Sequence, residues 1–386
     1  MTITFLDLFT GCGGFTLGLQ QAGLKSLYAI DFFNHAVSTF KYNIGNHIEE
    51  LDIYEKNLND LPEVDIVVGS PPCQGFSLEG KRKSEDSRNL LYLKFVETVK
   101  LLEPKFFIME NVPGMANIIK GEFFDDILLS LLGTGYNVKY AILNSVNYGV
   151  PQFRKRIFII GSKENRFNFP PITHNEIKGI DNGLKDPVTL GDAILDLPTL
   201  KSGEEVIKYN DSNLLSTYVK ELKGDCNELY NHKAQKHGKR MVDKMREIPI
   251  GGDMRDIQDE YKENKTYYAG GYRRADPNLP SYTVYWTRAM TSVHPDQPRL
   301  FTARECARLQ SFPDNFIFKG PVIMQYTQIS NAVPPYLARE IGNYFIKLIN
   351  QEPISNETIG IDTKTTIKKQ LNNIKQQRIS EFITKS

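Results

Sequence analysis

The sequence is poor in cysteine. Its 386 residues include four cysteines, Cys12, Cys73, Cys226 and Cys306, and no two of them form a CxxC pair. Cysteines at this density do not build a disulfide framework, and their spacing indicates no zinc site. We therefore expect a protein that binds no metal and has at least one thiol available for chemistry.

Long apolar runs are also missing. No segment approaches the roughly 20 consecutive apolar residues that a membrane-spanning helix needs. The N-terminal segment MTITFLDLFTGCGG has no basic leader region, and Asp7 interrupts its apolar part, which argues against a cleaved secretory signal. These absences predict a cytoplasmic protein without a membrane partner.

The chain has no large excess of charge of either sign. Its 47 Lys and Arg residues nearly balance 46 Asp and Glu, for a net charge of +1. Basic residues are concentrated between positions 233 and 246, although such a run is more often a solvated helix face than a nucleic-acid contact. Charge alone therefore neither requires nor excludes a polyanionic partner. The ordinary share of hydrophobic residues, 40%, excludes the disordered and fibrous classes.

The first 162 residues alternate between two patterns. Nearly continuous apolar runs, typical of strands buried on both faces, occupy residues 3–9, 24–30, 64–69, 105–111, 139–144 and 156–161. Helical patterns lie between them at 14–22, 34–44, 89–102 and 121–132. This alternation predicts an α/β fold with a doubly wound, mostly parallel sheet.

Three further regions follow the alternating one. Residues 163–300 are punctuated by Pro, Asn and Gly, which indicates a second, smaller and irregular domain. Helical pattern returns in 301–350, and we expect these helices to pack on the first domain. Residues 351–386 form a polar tail, to which we assign no role, either a loosely attached helix or a disordered segment.

A glycine-rich turn follows the first predicted strand. Gly11, Gly13 and Gly14 separate that strand from the first predicted helix, and such glycines allow a ligand to approach the backbone. Asp31 ends the second predicted strand, where an acidic residue can accept hydrogen bonds from a ribose. A plain tight turn would explain the glycines alone, but with Asp31 they predict a nucleoside-containing cofactor of unspecified kind.

Reactive side chains lie at the ends of three other predicted strands. Cys73 comes after Pro71 and Pro72, whose fixed φ angles suit a positioned nucleophile, although a free cysteine is more commonly a small buried hydrophobe. Glu110 ends an apolar strand, where it is either a proton donor or a solvated capping residue. Arg154 and Arg156, two positions apart and so on one strand face, can bind a carboxylate, a phosphate or a base edge.

Six segments together resemble the cytosine-C5 DNA methyltransferases of bacterial restriction-modification systems. In chain order they are FLDLFTGCGGFTLGL, GSPPCQGFS, MENVPG, QFRKRIFIIG, RECARLQSFPDNF and QISNAVPP, and the likeness covers nearly all of residues 3–349. The resemblance implies a Rossmann-like catalytic domain in 1–162 that binds S-adenosylmethionine. It makes 163–300 the target-recognition domain.

The resemblance also implies a role for individual residues. It assigns the cofactor site to Asp7, Phe9, Gly11, Gly13, Gly14, Asp31, Phe32, Asp52, Ile53, Pro72 and Asn331. In this assignment Asp31 binds the ribose, although the family often has Glu there, and Phe32 lies against the adenine. Cys73 would add to C6 of cytosine, and Glu110 would contact the base. Arg156 would support the base and the cysteine, Arg154 would lie close by, and both charges would favour the thiolate.

The implied substrate is a cytosine flipped out of duplex DNA, because C6 is shielded in stacked DNA. The implied DNA contacts are Gln74, Ser77 and Arg88 after the cysteine, and Arg273, Arg274, Thr283 and Arg288 in the target-recognition region. Arginine forks commonly read guanine in the major groove. For Trp286 and the nearby tyrosines we favour a place in the core of the small domain. The resemblance further implies a monomer, with a cognate restriction endonuclease as a functional partner.

Three alternative functions are weaker. A transfer-RNA methyltransferase of the same family would have a short target region with a Cys-Phe-Thr tripeptide, which is absent here. A catalytically silent DNA-binding regulator would be expected to lose Cys73, Glu110 or Arg156. A nicotinamide dehydrogenase shares the glycine turn and ribose acid but does not require the cysteine segment.

Overall fold

The computed structural model describes residues 2–72, 91–115, 122–164, 166–209, 215–257, 272–285 and 292–363. The strands are β1 (Thr4–Leu8), β2 (Lys25–Asp31), β3 (Ile48–Glu50), β4 (Ile66–Gly69), β5 (Phe106–Asn111), β6 (Asn137–Asn144), β7 (Lys155–Ser162), β8 (Arg273–Arg274), β9 (Ser292–Val293) and β10 (Ile361–Asp362). The helices are α1 (Gly14–Gln21), α2 (Asn34–Asn43), α3 (Leu91–Leu102), α4 (Glu122–Leu132), α5 (Leu190–Ile194), α6 (Thr217–Lys223), α7 (Lys239–Glu247), α8 (Ala303–Leu309), α9 (Val322–Asn331) and α10 (Pro335–Ile349).

The main sheet has eight strands in the order β10-β6-β7-β5-β4-β1-β2-β3. Strands β1 to β5 pair in parallel, whereas β7 runs antiparallel to both β5 and β6. The connection from β6 to β7 spans only residues 145–154 and contains a short 3-10 turn, and parallel neighbours would need a longer crossover. The predicted doubly wound, mostly parallel sheet is confirmed, with a mixed edge.

Residues on adjacent positions of the central strands enter different cores. Phe5, Ile66, Ile108 and other alternate residues pack beneath α1 and α10, together with Leu19, Leu337 and Ile341. The intervening residues pack against α3 and α4 on the opposite face of the sheet: Leu6, Val67, Phe107, Met109 and Ile159. Because side chains alternate along a strand, near-continuous apolar runs supply both faces at once. Helices packed on both faces of the sheet thus fix the position and direction of each strand end.

Residues beyond β7 do not separate cleanly from the first part of the chain. One apolar cluster joins Cys12 and Val150 to α5, α6, α8 and α9, and thus crosses the predicted boundary at residue 300. A smaller cluster around Met245, Ile248 and Val293 is built from the irregular region itself. The structure does not confirm a separate second domain, because most of this region shares its core with 301–336.

The described part of the predicted tail is packed against the sheet. β10 pairs antiparallel with β6, and the main chains of Thr358 and Phe169 exchange two hydrogen bonds of 3.0 Å. Glu357 accepts a hydrogen bond from the Tyr344 hydroxyl at 2.7 Å. Ile361 and Asp362 therefore pair with Tyr140 and Lys139 and cover that part of the β6 edge, which an unpaired strand would expose. Among the described helices, none is long and apolar enough to cross a membrane.

A buried ionic network holds α8 in place. Arg308 makes two hydrogen bonds to the Asp314 carboxylate, at 2.9 and 2.7 Å, and a third to Asp196 at 2.5 Å. Arg304 donates to the carbonyl oxygens of Tyr230, Pro313 and Phe316. Burial alone would raise the pKa of Asp314, but the two guanidinium groups hold it below its usual 3.8. Charge pairing thus connects α8 to the loops at both of its ends.

We expect Arg308→Met to lower the free energy of unfolding by about 3–5 kcal/mol, because the substitution removes the Arg308 cation from the buried carboxylates of Asp196 and Asp314. As a control, Lys163→Met removes an exposed pair with Glu103 and should cost less than about 1 kcal/mol. Urea titrations of the three proteins measure both values. Equal losses in the two variants would contradict the importance of the buried network.

Candidate functional site

The predicted functional segments meet along one edge of the sheet. Four parallel strands, β1, β2, β4 and β5, end there with Leu8, Asp31, Gly69 and Asn111 respectively. Because β7 is antiparallel, it begins at this same edge with Lys155 and Arg156. Ligands of doubly wound sheets bind beyond the carboxyl ends of the strands. The edge is therefore the candidate active site.

The turn after β1 has an unusual backbone. Phe9, Gly11 and Gly13 have positive φ angles of 60°, 59° and 92°. A Cβ atom added to Gly11 would meet no atom within 4 Å, so open space lies beside this position. Phe9 adopts a conformation that costs a non-glycine residue of order 1 kcal/mol or more, which is common at ligand sites. The turn thus leaves a cradle next to Gly11.

Asp31 connects the ends of β1 and β2. One carboxylate oxygen accepts a hydrogen bond from the Gly11 N–H at 2.8 Å, and the other accepts one from the Phe33 N–H at 2.8 Å. Burial raises the pKa of Asp31, although these hydrogen bonds partly oppose the shift. Each oxygen keeps a second lone pair, so the carboxylate can still accept hydrogen bonds from a ligand.

Asp7 is buried beneath the turn and stabilises it through side-chain hydrogen bonds. Its Oδ2 atom accepts hydrogen bonds from the hydroxyls of Thr10, at 2.8 Å, and Thr16, at 2.6 Å. Burial raises the pKa of Asp7 to about 7, although the two hydroxyls lower it in part. Its carboxyl group is 1% exposed and joins the turn to α1. In this position Asp7 shapes the cradle from within the core.

An exposed aromatic ring stands beside Asp31. Phe32 is 68% exposed, which is unusual for a phenylalanine and indicates a surface that a flat ring could cover. Asp52 accepts a hydrogen bond from the Tyr54 N–H at 3.0 Å, and the next residue, Ile53, is buried. These residues follow β3, a three-residue strand of sequence IEE that the sequence patterns did not predict.

Gly13 and Gly14 are explained by packing. A Cβ atom at Gly13 would lie 2.3 Å from the Ile44 side chain, and one at Gly14 would lie 2.4 Å from the Val333 carbonyl oxygen. The first turn of α1 therefore packs directly against the segment after α9. Asn331, the last residue of α9, is exposed two positions before Val333.

Glu110 and Arg156 form a buried pair at the adjacent strand ends. Arg156 lies diagonally across the antiparallel β5–β7 ladder from Glu110, where side chains of the same face meet. Its Nε atom is 3.1 Å from Glu110 Oε1, and both side chains are less than a tenth exposed. Arg156 Nη1 donates to the Lys155 carbonyl oxygen at 2.8 Å. The guanidinium thereby orients the carboxylate at the edge.

Arg154 joins this pair to the segment after α9. Its Nη2 atom donates to the carbonyl oxygens of Ser330, at 2.7 Å, and Ala332, at 3.0 Å, which flank Asn331. Its Nε and Nη1 atoms are buried without a hydrogen-bond partner among the described residues. Burial and the nearby Arg156 cation lower the pKa of Arg154. Unpaired buried donors are costly, so this site favours an acceptor-rich ligand.

Asn111 is a site residue to which the sequence analysis gave no role. Its side-chain amide donates to the Pro71 carbonyl oxygen at 2.8 Å, and its Oδ1 atom accepts from the Val112 N–H at 2.9 Å. The end of β5 therefore fastens the Pro71–Pro72 turn that precedes Cys73. The available signal was its place in the ENV segment, directly after Glu110.

Gln152, also without an earlier role, lies at a junction of three segments. It is fully buried, and its amide donates to the Leu309 carbonyl oxygen at the end of α8, at 3.0 Å. Its Oε1 atom accepts from the Val284 N–H at 2.9 Å. Thr283 adds a hydrogen bond from its hydroxyl to the Phe153 carbonyl oxygen, at 2.6 Å. Residues 281–285 are thus clamped beside Arg154.

The two arginines of β8 have different environments. The Arg274 guanidinium donates to the carbonyl oxygens of five residues, Met245, Arg246, Ile248, His294 and Pro295. These hydrogen bonds use the donors of the Arg274 guanidinium within the irregular region. The DNA contact that the sequence predicted at Arg274 therefore does not fit this geometry. Arg273 is exposed instead.

Several predicted site residues lie outside the described part of the chain. They are Cys73, Gln74, Ser77, Arg88 and Arg288, together with Trp286. The described catalytic and cofactor candidates form two groups along one sheet edge, the turn around Gly11 and the pair around Glu110, whereas Arg273 and Arg274 belong to the separate β8–β9 sheet. Arg154 connects these groups, because it contacts the segment containing Asn331.

Comparison with known proteins gives a consistent result. A family profile described as C-5 cytosine-specific DNA methylase matches residues 3–347. The chain is 36% identical to Type II methyltransferase M.DdeI of Desulfomicrobium norvegicum, over 92% of this chain and 92% of that protein. It is 35% identical to Type II methyltransferase M1.HphI of Haemophilus parahaemolyticus, over 91% of this chain and 89% of that protein.

The fold also matches a solved structure. A prophage-encoded Escherichia coli protein, described as a DNA modification methyltransferase, superposes with a TM-score of 0.72 at 26% identity. The match covers 90% of this chain and 100% of that one. The two chains therefore share the same overall fold.

The buried Asp7 should make stability depend on pH. Because its pKa rises on folding from about 4 to about 7, its contribution to stability is complete below about pH 4 and is lost as pH rises through 7. We expect Asp7→Asn, which cannot ionise, to gain on the order of 2 kcal/mol relative to wild type between about pH 5 and pH 8.

Urea titrations across this pH range provide the measurement. Asp126→Asn, at an exposed position of α4, is the matched control and should change stability equally at every pH. A constant difference between Asp7→Asn and wild type from about pH 5 to pH 8 would show that Asp7 does not titrate in this range.

Proposed function

Because the chain belongs to the C-5 cytosine-specific DNA methylase family, we propose that it transfers a methyl group from S-adenosylmethionine to C5 of a flipped cytosine in a specific duplex DNA sequence. The chain is a DNA cytosine-5 methyltransferase. We propose its cofactor, the roles of its residues and the order of the reaction steps. The observation that carries this proposal is the convergence of the Gly11 cradle and the Glu110–Arg156 pair on one sheet edge.

The residues around the Gly11 turn fit a nucleoside cofactor. Asp31 offers carboxylate lone pairs for ribose hydroxyls, and exposed Phe32 offers a face for adenine. The open space beside Gly11 admits a ligand close to the backbone. Asp7, Phe9, Gly13 and Gly14 shape this cradle, while Asp52, Ile53, Pro72 and Asn331 are proposed at its rim. When bound, S-adenosylmethionine supplies an electrophilic methyl group.

Cys73 is proposed as the nucleophile. Its thiolate forms a bond to C6 of cytosine, and the electron pair of the C5–C6 double bond becomes available at C5, which then accepts the methyl group. Loss of the C5 proton restores the double bond and expels the Cys73 thiolate. The thiolate is the reactive form of a cysteine, and a neighbouring cation favours that form. Asn111 supports this role by holding the carbonyl of Pro71, two residues before Cys73.

Glu110 is proposed to hold the cytosine by N3 and the exocyclic amine. A proton placed on N3 by its carboxyl group would stabilise the electron-rich adduct. The 3.1 Å contact from Arg156 Nε fixes the carboxylate for this task. Arg154 offers unpaired Nε and Nη1 donors, which suit an acceptor on the base or its backbone. Because Arg154 also holds the carbonyls flanking Asn331, it would link base binding to cofactor binding.

Recognition of the target sequence is proposed for residues 163–300. Residues 281–285 are bound to Gln152 and Phe153, and Tyr282 and Tyr285 are exposed there, so the expectation that these tyrosines lie in the core of the small domain was wrong. Their exposure supports a recognition role. Thr283 is proposed near the backbone of the flipped nucleotide, and Gln74, Ser77, Arg88 and Arg288 as further contacts. The basic residues of 233–246 would add salt-sensitive phosphate affinity. C6 lies inside the base stack, so the reaction requires flipping.

We further propose that the chain acts as a monomer and modifies the sites of a cognate restriction endonuclease in the cytoplasm. The support is that two relatives at about one-third identity are named Type II methyltransferases. Light scattering behind a sizing column tests the first point. A mass of one chain, with and without duplex DNA, is the expected result, and a stable dimer would contradict it.

The proposed activity is tested with radiolabelled S-adenosylmethionine and unmethylated duplex DNA, beside transfer RNA. We expect label on cytosine C5 of the DNA and none with Cys73→Ala. Bisulfite sequencing of the product identifies the target site. Label on RNA alone would show that RNA, and not DNA, is the substrate. Cofactor binding without any methyl transfer would indicate a catalytically silent DNA-binding protein.

Glu110→Gln should reduce the rate of methyl transfer by about 100- to 10,000-fold, because the amide cannot donate a carboxylic proton to the base. Cofactor affinity should change little, since Glu110 is proposed on the cytosine side of the edge. Glu103→Gln, an exposed glutamate just before β5, is the matched control and should retain full activity. Equal rates for the two variants would remove Glu110 from the mechanism.

A further inference from the structure

We propose that Arg273 reads a guanine near the target cytosine through the major groove, and that Tyr282 holds its guanidinium in the reading position. This inference rests on the proposed function and makes the recognition region more specific. Arg273 is thereby assigned a guanine contact, whereas the neighbouring Arg274 is not expected to contact a base.

The Arg273 side chain is held at two points. Its Cζ atom lies 4.2 Å from the ring centroid of Tyr282. Its Nε atom donates to the Gly251 carbonyl oxygen at 3.1 Å. The backbone beneath is fixed as well, because Gly251 N–H donates to the Arg274 carbonyl and Arg274 N–H donates to that of Gly252, both at 2.9 Å. An arginine fixed in this way loses little rotamer freedom on binding.

The free edge of this guanidinium is available to a partner. Neither Nη atom has a hydrogen-bond partner within the described ranges, and Arg273 is exposed at the surface. Its two terminal nitrogens match the spacing of guanine O6 and N7, the commonest specific arginine contact in the major groove. Arg274 offers no such edge, since carbonyl oxygens occupy its nitrogens. Only one member of the pair can therefore read a base.

Tyr282 places this edge close to the base pocket. Its neighbours face the strand that carries the catalytic arginines: Ser281 exchanges main-chain hydrogen bonds with Pro151 and Phe153, and Thr283 bonds to Phe153. Tyr282 lies between them and is 54% exposed. Arg156 is three residues after Phe153, or about 10 Å along a strand. DNA rises about 3.4 Å per base, so we expect the guanine within about three base pairs of the target.

The test is a change in the methylated sequence. Wild type, Arg273→Lys, Arg273→Ala and Tyr282→Leu are incubated with S-adenosylmethionine and duplexes randomised around cytosine, followed by bisulfite sequencing. We expect wild type to require guanine at one position, and Arg273→Ala to relax that position by about 10- to 100-fold, with a smaller effect of Arg273→Lys, whose ammonium can also bind guanine. Tyr282→Leu should relax the same position less. Arg255→Lys, whose guanidinium is paired with Asp253, is the control and should keep the wild-type sequence.

A second measurement does not depend on the variants. In the wild-type target, 7-deazaguanine at the identified position removes the N7 acceptor and should slow methylation by about 10-fold, with no such loss for Arg273→Ala. An unchanged target sequence in the Arg273 variants, with weaker and less salt-dependent binding, would make Arg273 a phosphate contact and overturn the inference. Absence of any DNA methylation by wild type would overturn the proposed function itself.

Discussion

The reversal of β7 is the constraint on which the site depends. In a purely parallel sheet, Arg154 and Arg156 would lie at the far edge, away from Glu110. Because β7 pairs antiparallel with β5, its first residues reach the edge where β1, β2, β4 and β5 end. The diagonal contact between Arg156 and Glu110 follows directly from that register. The short 145–154 connection enforces the reversal, since it is too short for a parallel crossover.

The residues before β7 extend this effect to three other parts of the chain. Arg154 holds the segment around Asn331, and Gln152 holds both α8 and residues 281–285. α8 is in turn locked by the buried contacts of Arg304 and Arg308. A single stretch, 152–156, therefore positions the Glu110–Arg156 pair, the segment around Asn331 and residues 281–285. A displacement of any one of these elements would therefore displace the others, because buried charged groups tolerate few alternative arrangements.

The sequence predicted much of the fold and the identity of the candidate site. Strands with apolar residues on both faces and the glycine turn are local patterns, and they predicted β1, β2 and β4 to β7 within a few residues. The short strands β3 and β10 were not predicted, because IEE and the two-residue β10 have no local signal. The pairing of β10 with β6 depends on contacts across more than two hundred residues.

Side-chain partners were harder to predict than positions. Arg273 and Arg274 are adjacent and chemically identical, yet one is exposed on Tyr282 and the other is saturated by carbonyl groups. Asn111 and Gln152 fasten loops through main-chain atoms, and a hydrogen bond to a distant carbonyl leaves no trace in local sequence. The boundary at residue 300 stays a prediction, although α8 shares an apolar core with α5 and α6, because cores form by spatial proximity.

The central claim is that this sheet edge presents cytosine to a cysteine nucleophile. The most direct test uses duplex DNA with 5-fluorocytosine at the target, since C5 then has no proton to lose and the thiol cannot leave. With S-adenosylmethionine present, we predict a covalent protein–DNA complex whose peptide map assigns the bond to Cys73. A complex at another cysteine, or full methylation activity on ordinary DNA with no trapped complex, would contradict the account.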